Sequence, residues 1–222
     1  MDFVLDLSNL KTDRYFIFGD ICGNYELLID ALYEQNFNKN DTLIATGNII
    51  DENIDLSLEC LYFIMNNHNT YSVKGKNEFN LINKNINNTP QWFKTAENQY
   101  AIKQYLEELP LVIKATNKIY IVNSGAEPNK KLEEQSPDVF YNIGDYDKDS
   151  RFYLFDNPDK KSWYEFEFKS GDTAIKFCFG GKFTRSNDLP AEYSLGQDEK
   201  RANLKYLIID KMNQDTPILI ET

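Results

Sequence analysis

Residues 18–28 read Phe-Gly-Asp-Ile-Cys-Gly-Asn-Tyr-Glu-Leu-Leu, and no other segment of the sequence is as informative about the fold. It continues the apolar run 15–18, which predicts a short buried strand ended by glycine. Apolar residues then recur at helical spacing, which predicts a helix over residues 25–35. Asp20 and Cys22 therefore lie in a tight strand-to-helix turn, whose glycines allow the chain to bend sharply.

The same alternation of buried strand and helix continues along the first half of the chain. Apolar runs at 42–45 and 70–73 predict two more strands, followed by Gly47 and Gly75 respectively. Between them, apolar residues at helical spacing predict a helix for which Asp55 is the expected N-cap. Strands that alternate with helices indicate βαβ units and a mainly parallel central sheet.

The second half of the chain is predicted to contain strands, a helix and loops without a regular alternation. Its patterns predict a helix over residues 97–109 and strands at 111–114, 119–122 and 174–179. Two strands at 206–209 and 218–220 are expected to form an antiparallel hairpin around a turn at 213–215. We also predict a surface loop at 83–88, an acidic insertion at about 128–168 and a half-exposed strand at 164–168. No linker divides the chain, so residues 1–222 are interpreted as one domain.

Composition and charge argue against several classes of function. The 222 residues carry a net charge of −11, which disfavours a general affinity for nucleic acid or anionic membranes. The 3 cysteines lack zinc-finger spacing and are an odd number, so no disulfide framework is indicated. No run approaches the roughly 18 apolar residues of a membrane span, and the first residues lack the basic start of a signal peptide. We therefore expect a cytoplasmic protein.

Four more short motifs follow, each at the end of a predicted strand. They read Gly-Asn-Ile-Ile-Asp-Glu-Asn at 47–53, Gly-Lys-Asn-Glu at 75–78, Val-Asn-Ser-Gly at 122–125 and Gly-Gly-Lys at 180–182. With the first motif, their order, spacing and strand context resemble the calcineurin-like metallophosphoesterases over residues 15–184. The series is most similar to the branch of bacterial protein phosphatases and diadenosine tetraphosphate hydrolases.

This resemblance implies the family's fold and its chemistry. The fold is an α/β sandwich of two mixed β-sheets flanked by helices. The family's enzymes hold two metal ions about 3.5–4 Å apart, and a metal-bound hydroxide attacks the phosphate in line. Divalent cations held so close need anionic bridging oxygens and imidazole ligands to offset their repulsion.

This chain has lost most of those ligands. Asp20 is retained, whereas the other aligned positions hold Cys22, Asn48, Lys76, Asn77, Asn123 and Gly181. The resemblance implies that Asn48 replaces a bridging carboxylate, for which a neutral amide is a poor substitute. It also implies that Asn77 replaces the histidine that assists the leaving group, and such help is worth about 10² to 10⁴ in rate. Glu52 stands where an arginine commonly steadies the phosphate, which reverses the charge.

Several of these positions have alternative interpretations. Asp20 is interpreted as a cap of the following helix in preference to a remaining metal ligand. Cys22 is interpreted as a small buried residue rather than a nucleophile. A one-residue shift would place Asn77 instead of Lys76 in the family's asparagine position. Without that shift, we predict that the Lys76 ammonium replaces the lost cation and pairs with Asp20.

The sequence therefore favours a catalytically inactive relative of these enzymes, a pseudophosphatase without a metal cofactor. It would bind a protein or an anionic ligand through Lys76 and loop amides, and a protein partner is expected. The alternative is a weakly active phosphoesterase that keeps one divalent metal such as Mn²⁺ on Asp20, Asn48 and either Asn77 or Asn123. A third interpretation is a structural subunit of an assembly.

Overall fold

The computed structural model describes residues 3–85, 88–127, 130–142, 168–170, 173–180 and 204–221. Within these residues, 10 strands form two 5-stranded mixed sheets that helices flank. The predicted fold class, an α/β sandwich of two mixed sheets, is confirmed. None of the helices in this described part is long and apolar enough to cross a membrane.

The elements are numbered in chain order. The strands are β1 (Val4–Asp6), β2 (Arg14–Phe18), β3 (Thr42–Ala45), β4 (Thr70–Ser72), β5 (Val112–Lys114), β6 (Ile119–Val122), β7 (Phe168–Ser170), β8 (Thr173–Phe179), β9 (Lys205–Asp210) and β10 (Asn213–Glu221). The helices are α1 (Tyr25–Glu34), α2 (Ser57–Asn66), α3 (Lys76–Asn83), α4 (Gln91–Lys94), α5 (Gln99–Glu108) and α6 (Val139–Asn142), with a 3-10 turn at Leu132–Glu134. The first sheet has the order β10-β9-β2-β3-β4, and the second has the order β1-β5-β6-β8-β7.

Strand β2 shows how the layers are built. Tyr15 and Ile17 are fully buried in a core that they share with β5, β6 and β8 of the second sheet. Phe16 and Phe18 pack on the opposite face, in a second core that contains residues of α1, α2 and α5. Because successive side chains of a strand point to opposite faces, the central strand is buried on both sides. This explains why its sequence is a continuous apolar run rather than an alternating one.

The layers bring the motif loops together at one edge of the sandwich. Strands β2, β3 and β4 are parallel, so the loops that follow them leave the same edge of the first sheet. The loops after β3 and β4 approach very closely: a Cβ atom added to Gly47 would lie 2.7 Å from the Gly75 Cα. Gly47 also has a φ of +86°, in the left-handed region that favours glycine. The predicted parallel βαβ core therefore positions the site.

Two local predictions about element ends are wrong. Leu56, not Asp55, occupies the N-cap of α2, and no side chain caps that helix. The hairpin of β9 and β10 turns at Lys211 and Met212, while Asn213 already belongs to β10. The reason is a local hydrogen bond, because the Met212 N–H donates to the Asp210 Oδ1 at 2.8 Å and closes the turn early.

Much of the predicted acidic insertion at about 128–168 lies outside the described residues. Its described part, residues 130–142, contains the 3-10 turn and α6. The predicted half-exposed strand at 164–168 also lies outside, apart from Phe168, which begins β7. In the predicted loop at 83–88, α3 ends at Asn83 and residues 86–87 are not described. The interpretation of the chain as one domain stays a prediction.

Candidate functional site

The site lies where four motif loops from both sheets meet. The structure brings Asp20, Asn48, Asn77 and Asn123 into one largely buried hydrogen-bonded cluster, with the backbone of Lys76 and the partly buried Asn77 at its edge. Asp20 is 7% exposed, Asn48 is 8% exposed and Asn123 is 1% exposed. Four of the predicted positions therefore come together, through hydrogen bonds among amide, carboxyl and backbone groups.

Asn48 presents hydrogen-bond donors to Asp20. Its Nδ2 lies 3.1 Å from the Asp20 Oδ1, and its Oδ1 accepts the Asn77 backbone N–H at 3.0 Å. A backbone N–H can only donate, so this second bond fixes which end of the Asn48 amide is oxygen. The NH₂ group must then face Asp20. The resemblance places a bridging carboxylate at position 48. In this chain the side chain at that position directs a hydrogen-bond donor at Asp20, where a carboxylate would direct an acceptor.

Asn123 is oriented in the same way. Its Oδ1 accepts the Lys76 backbone N–H at 3.2 Å, and its Nδ2 donates to the Thr46 carbonyl at 2.8 Å. Both partners are backbone groups of fixed polarity, so the amide cannot turn over without losing both bonds. Because Asn123 follows β6 while Thr46 and Lys76 follow β3 and β4, these two hydrogen bonds connect the two sheets.

A fully buried carboxyl group, that of Glu78, binds the backbone of the loops that carry the cluster. Its Oε2 accepts the N–H groups of Asn48 at 2.8 Å and Gly75 at 2.9 Å. Its Oε1 accepts those of Ile49 at 2.8 Å and Ile50 at 3.3 Å. Burial raises the pKa of the Glu78 carboxyl, and the backbone N–H donors around it oppose that rise. Glu78 thereby fixes the loop after β3 against the start of α3.

Gly180, at the end of β8, closes one side of the Asp20 carboxyl group. A Cβ atom there would lie 2.3 Å from the Asp20 Oδ1 and 2.5 Å from the Thr46 Oγ1. The Thr46 hydroxyl is fully buried and has no hydrogen-bond partner within the described part of the chain. The neighbouring predicted site residue, Gly181, lies outside the described residues.

The remaining predicted positions have structural contacts. Cys22 is buried, with a φ of +48°, and its backbone N–H donates to the Asn48 carbonyl at 2.8 Å. Its predicted burial is confirmed, while its lack of a role as a nucleophile stays a prediction. Glu52, on the side where the resemblance places the phosphate, forms an ion pair with Lys84 at the end of α3.

Two sequence predictions about the site are wrong. Asp20 does not cap α1, because Asn24 occupies the N-cap of that helix and the Asp20 carboxyl accepts from Asn48. Lys76 forms no ion pair with Asp20 among the described residues: its side chain is exposed, and its backbone N–H contacts Asn123 instead. The Asn48 amide has taken the place next to Asp20 that we expected the ammonium to take.

The residues present do not fit the metal pair that the resemblance implies. The one carboxyl group retained from the ligand set, Asp20, faces an NH₂ group, and the oxygens of Asn48 and Asn123 already accept backbone N–H groups. Such a set offers neither the bridging anion nor the imidazoles that two adjacent cations need. Within the described ranges, no group of 3 or more His, Cys, Asp or Glu side chains is placed to hold a metal ion.

Sequence reasoning missed Glu78, although a signal for it was present. Glu78 is the last residue of the motif at 75–78 and stands three positions after the N-cap of α3. A glutamate at that position commonly accepts the N-cap N–H, as Glu78 does from Gly75. Its bonds to the loop after β3 carry no such local signal, because they join residues that are 28 to 30 positions apart.

A family model, Calcineurin-like phosphoesterase, matches residues 14–215. The chain therefore belongs to the calcineurin-like phosphoesterase family, as its series of motifs predicted. In the comparison with curated proteins, no sequence matches this chain.

Solved structures of phosphatases share the fold at low sequence identity. A crystal structure assigned provisionally as a diadenosine tetraphosphatase superposes with a TM-score of 0.72 at 20% identity, covering 98% of this chain and 97% of that one. A variant of a cold-active protein tyrosine phosphatase gives a TM-score of 0.61 at 12% identity, covering 100% and 82%. A protein serine/threonine phosphatase from Saccharomyces cerevisiae gives 0.56 at 14%, covering 98% and 82%. At these identities the similarity shows the fold alone.

Proposed function

We propose that this chain is a pseudophosphatase, a calcineurin-like phosphoesterase that binds no metal, does not hydrolyse phosphoesters and acts by binding a protein. The observation that supports this most directly is the orientation of Asn48, whose NH₂ group faces Asp20 at 3.1 Å. A cation placed beside Asp20 would meet the positive end of that amide dipole. Without a metal, the water that attacks phosphate in this family would not be activated near neutral pH.

The general acid and the phosphate-binding residue of the family also have no suitable counterpart at the aligned positions of this chain. Asn77, at the position of the leaving-group histidine, donates its Nδ2 to the Ile50 carbonyl at 2.7 Å. That amide has no ionisable proton, so it cannot act as a general acid. The Glu52 side chain, where the resemblance places an arginine, has no N–H group to donate to a phosphate, and its carboxylate is already paired with Lys84. Each of these changes lowers activity independently of the metal.

Of the two ligand classes expected from the sequence, a protein is better supported than an anion. The backbone N–H groups that were expected to bind an anion already have acceptors within the protein, namely those of Asn48, Ile49, Ile50, Gly75, Lys76 and Asn77. An anion would have to displace those acceptors, including the buried Glu78. The exposed Lys76 side chain at the edge of the cluster remains available to a partner surface.

The enzymatic part of the proposal predicts no metal binding and no turnover. Titration of the purified protein with MnCl₂ in a calorimeter should show no stoichiometric binding, because the amide oxygens are already used and a bridging anion is missing. Turnover of an aryl phosphomonoester or a phosphodiester with added Mn²⁺ should stay at the rate without protein. Asp20→Asn should change neither result, and Asp13→Asn, at an exposed carboxylate, is its matched control.

The alternative, a weakly active single-metal phosphoesterase, predicts the opposite results. It requires Mn²⁺-dependent turnover that Asp20→Asn abolishes and Asp13→Asn leaves unchanged. That combination would contradict the proposal.

The binding part of the proposal is tested separately. Purified natively from its source cells, the protein should elute in a complex with a different protein. Lys76→Glu, at the edge of the cluster, should reduce the recovery of that partner severalfold, whereas Lys39→Glu, at an exposed loop lysine, should not. Elution as a monomer, or only as a complex of identical chains, would contradict the proposed partner.

A further inference from the structure

The asparagine side chains Asn48 and Asn123, which are buried, and Asn77, which is partly buried, are here called the asparagine clasp. They connect the same loops whose counterparts supply metal ligands in the resemblance. We infer that the clasp is a metal-independent crosslink, which holds the strand-end loops of the two sheets together in place of bound cations. The inference rests on the metal-free part of the proposed function and on the contacts of the clasp, and it holds whether or not the chain binds a partner.

The connection between the sheets depends on Asn123. It is the first residue after β6, and its side-chain hydrogen bonds to the Thr46 carbonyl and the Lys76 N–H reach across to the first sheet. The side chain is 1% exposed, so water cannot replace these bonds without opening the site. A buried polar group that loses its partner is destabilising, and each of the two backbone groups would then be left unpaired.

The connection within the first sheet depends on Asn48. Its side chain bonds to Asp20 in the loop after β2 and to Asn77 at the start of α3, while its carbonyl accepts the Cys22 N–H. One residue therefore joins the loops that follow β2, β3 and β4. Asn77 adds a further bond through its Nδ2 to the Ile50 carbonyl. Four loops are thus crosslinked by side-chain amides.

The clasp also explains why an amide suits position 48 better than the family's carboxylate does in the absence of metal. An aspartate there would put a second carboxylate within hydrogen-bond distance of Asp20, with no cation between them. Two carboxylates that share a site repel each other, and one of them must then be protonated at a cost in stability. An amide has the same shape, no charge and a donor aimed at Asp20.

The test measures thermal stability, not activity. The Tm of the wild-type protein should be the same in EDTA and in excess MnCl₂. Asn48→Asp should lower the Tm by roughly 4–8 °C, because it replaces a hydrogen bond by repulsion. Asn80→Asp, at an exposed position of α3, is the matched control for the added charge and should change the Tm by about 2 °C or less.

Two further variants keep the test decisive if Asn48→Asp does not fold. Asn48→Gly tolerates the left-handed φ of +50° at this position but removes the amide, so it isolates the side chain from the backbone. Asn123→Ala removes the bonds between the sheets. Both should lower the Tm by several degrees, equally in EDTA and in MnCl₂. A wild-type Tm that falls in EDTA or rises with MnCl₂, or an Asn48→Gly protein as stable as the wild type, would overturn the inference.

Discussion

Replacing Glu78 with alanine should cost about 4 kcal/mol or more of the free energy of unfolding. The Glu78 carboxyl accepts the N–H groups of Asn48, Ile49, Ile50 and Gly75, and its side chain is fully buried. Each buried N–H group left without an acceptor costs about 1–3 kcal/mol. Single domains are stable by only about 5–15 kcal/mol, so this variant should be marginally folded or unfolded.

Glu78→Gln separates the loss of acceptors from the loss of volume. Glutamine has nearly the same shape, but one of its two terminal atoms is an NH₂ group that cannot accept, so two of the N–H groups lose their partner. Glu78→Gln should therefore lower the free energy of unfolding, but by less than Glu78→Ala does. Glu97→Gln, at an exposed glutamate, should stay within about 0.5 kcal/mol of the wild type. Urea denaturation followed by circular dichroism measures all three variants. If Glu78→Ala unfolds at the wild-type midpoint, the loop after β3 does not depend on this carboxyl group.

The parallel core was predictable because its signal is local. Strands β2, β3 and β6 are buried on both faces, so each is an apolar run, and glycine follows within a few residues of β2 and β3. Strand β1 was missed since two of its 3 residues are only partly buried, the third is exposed, and they show no clear period. Helix α3 was missed for a related reason: among its residues only Glu78 and Leu81 are buried, and the glutamate is held by contacts outside the helix.

The membership of the site was predictable, but the chemistry of its contacts was only partly so. The series of motifs identified which residues would meet, and Asp20, Asn48, Asn77 and Asn123 do meet. The orientation of each amide is decided by backbone groups far along the chain, such as the Thr46 carbonyl 77 positions from Asn123. Charge alone suggested that Lys76 would approach Asp20. A neutral amide at Asn48 satisfies the same carboxyl group without the cost of burying an ammonium.

Gly75→Ala should destabilise the protein by about 3 kcal/mol, although alanine suits the backbone at this position. Gly75 has a φ of −95° and a ψ of 178°, an extended conformation that any residue adopts. If space were available, alanine would stabilise the protein by about 0.4–1 kcal/mol, because it restricts the unfolded chain. The sign of the effect therefore reports directly on the space around Gly75.

The structure shows that this space is absent. A Cβ atom on Gly75 would lie 2.3 Å from the Asn48 backbone nitrogen, and 2.7 Å from both the Asn48 Oδ1 and the Glu78 Oε2. A backbone nitrogen cannot rotate away, so the loops after β3 and β4 would have to separate. Their separation would lengthen the bonds from the Asn48 and Gly75 N–H groups to Glu78 and from the Asn77 N–H to Asn48. One methyl group would thus weaken both the support from Glu78 and the asparagine clasp.

Lys76→Ala is the matched control for this prediction. It changes the next residue of the same turn to alanine, but the Lys76 side chain is exposed and only its backbone N–H is used by Asn123. Its free energy of unfolding should stay within about 0.5 kcal/mol of the wild type in the same urea titration. A Gly75→Ala protein more stable than the wild type would show that the two loops can move apart freely. If Lys76→Ala is destabilised as much as Gly75→Ala, the Lys76 ammonium stabilises the fold, as the predicted ion pair with Asp20 would require.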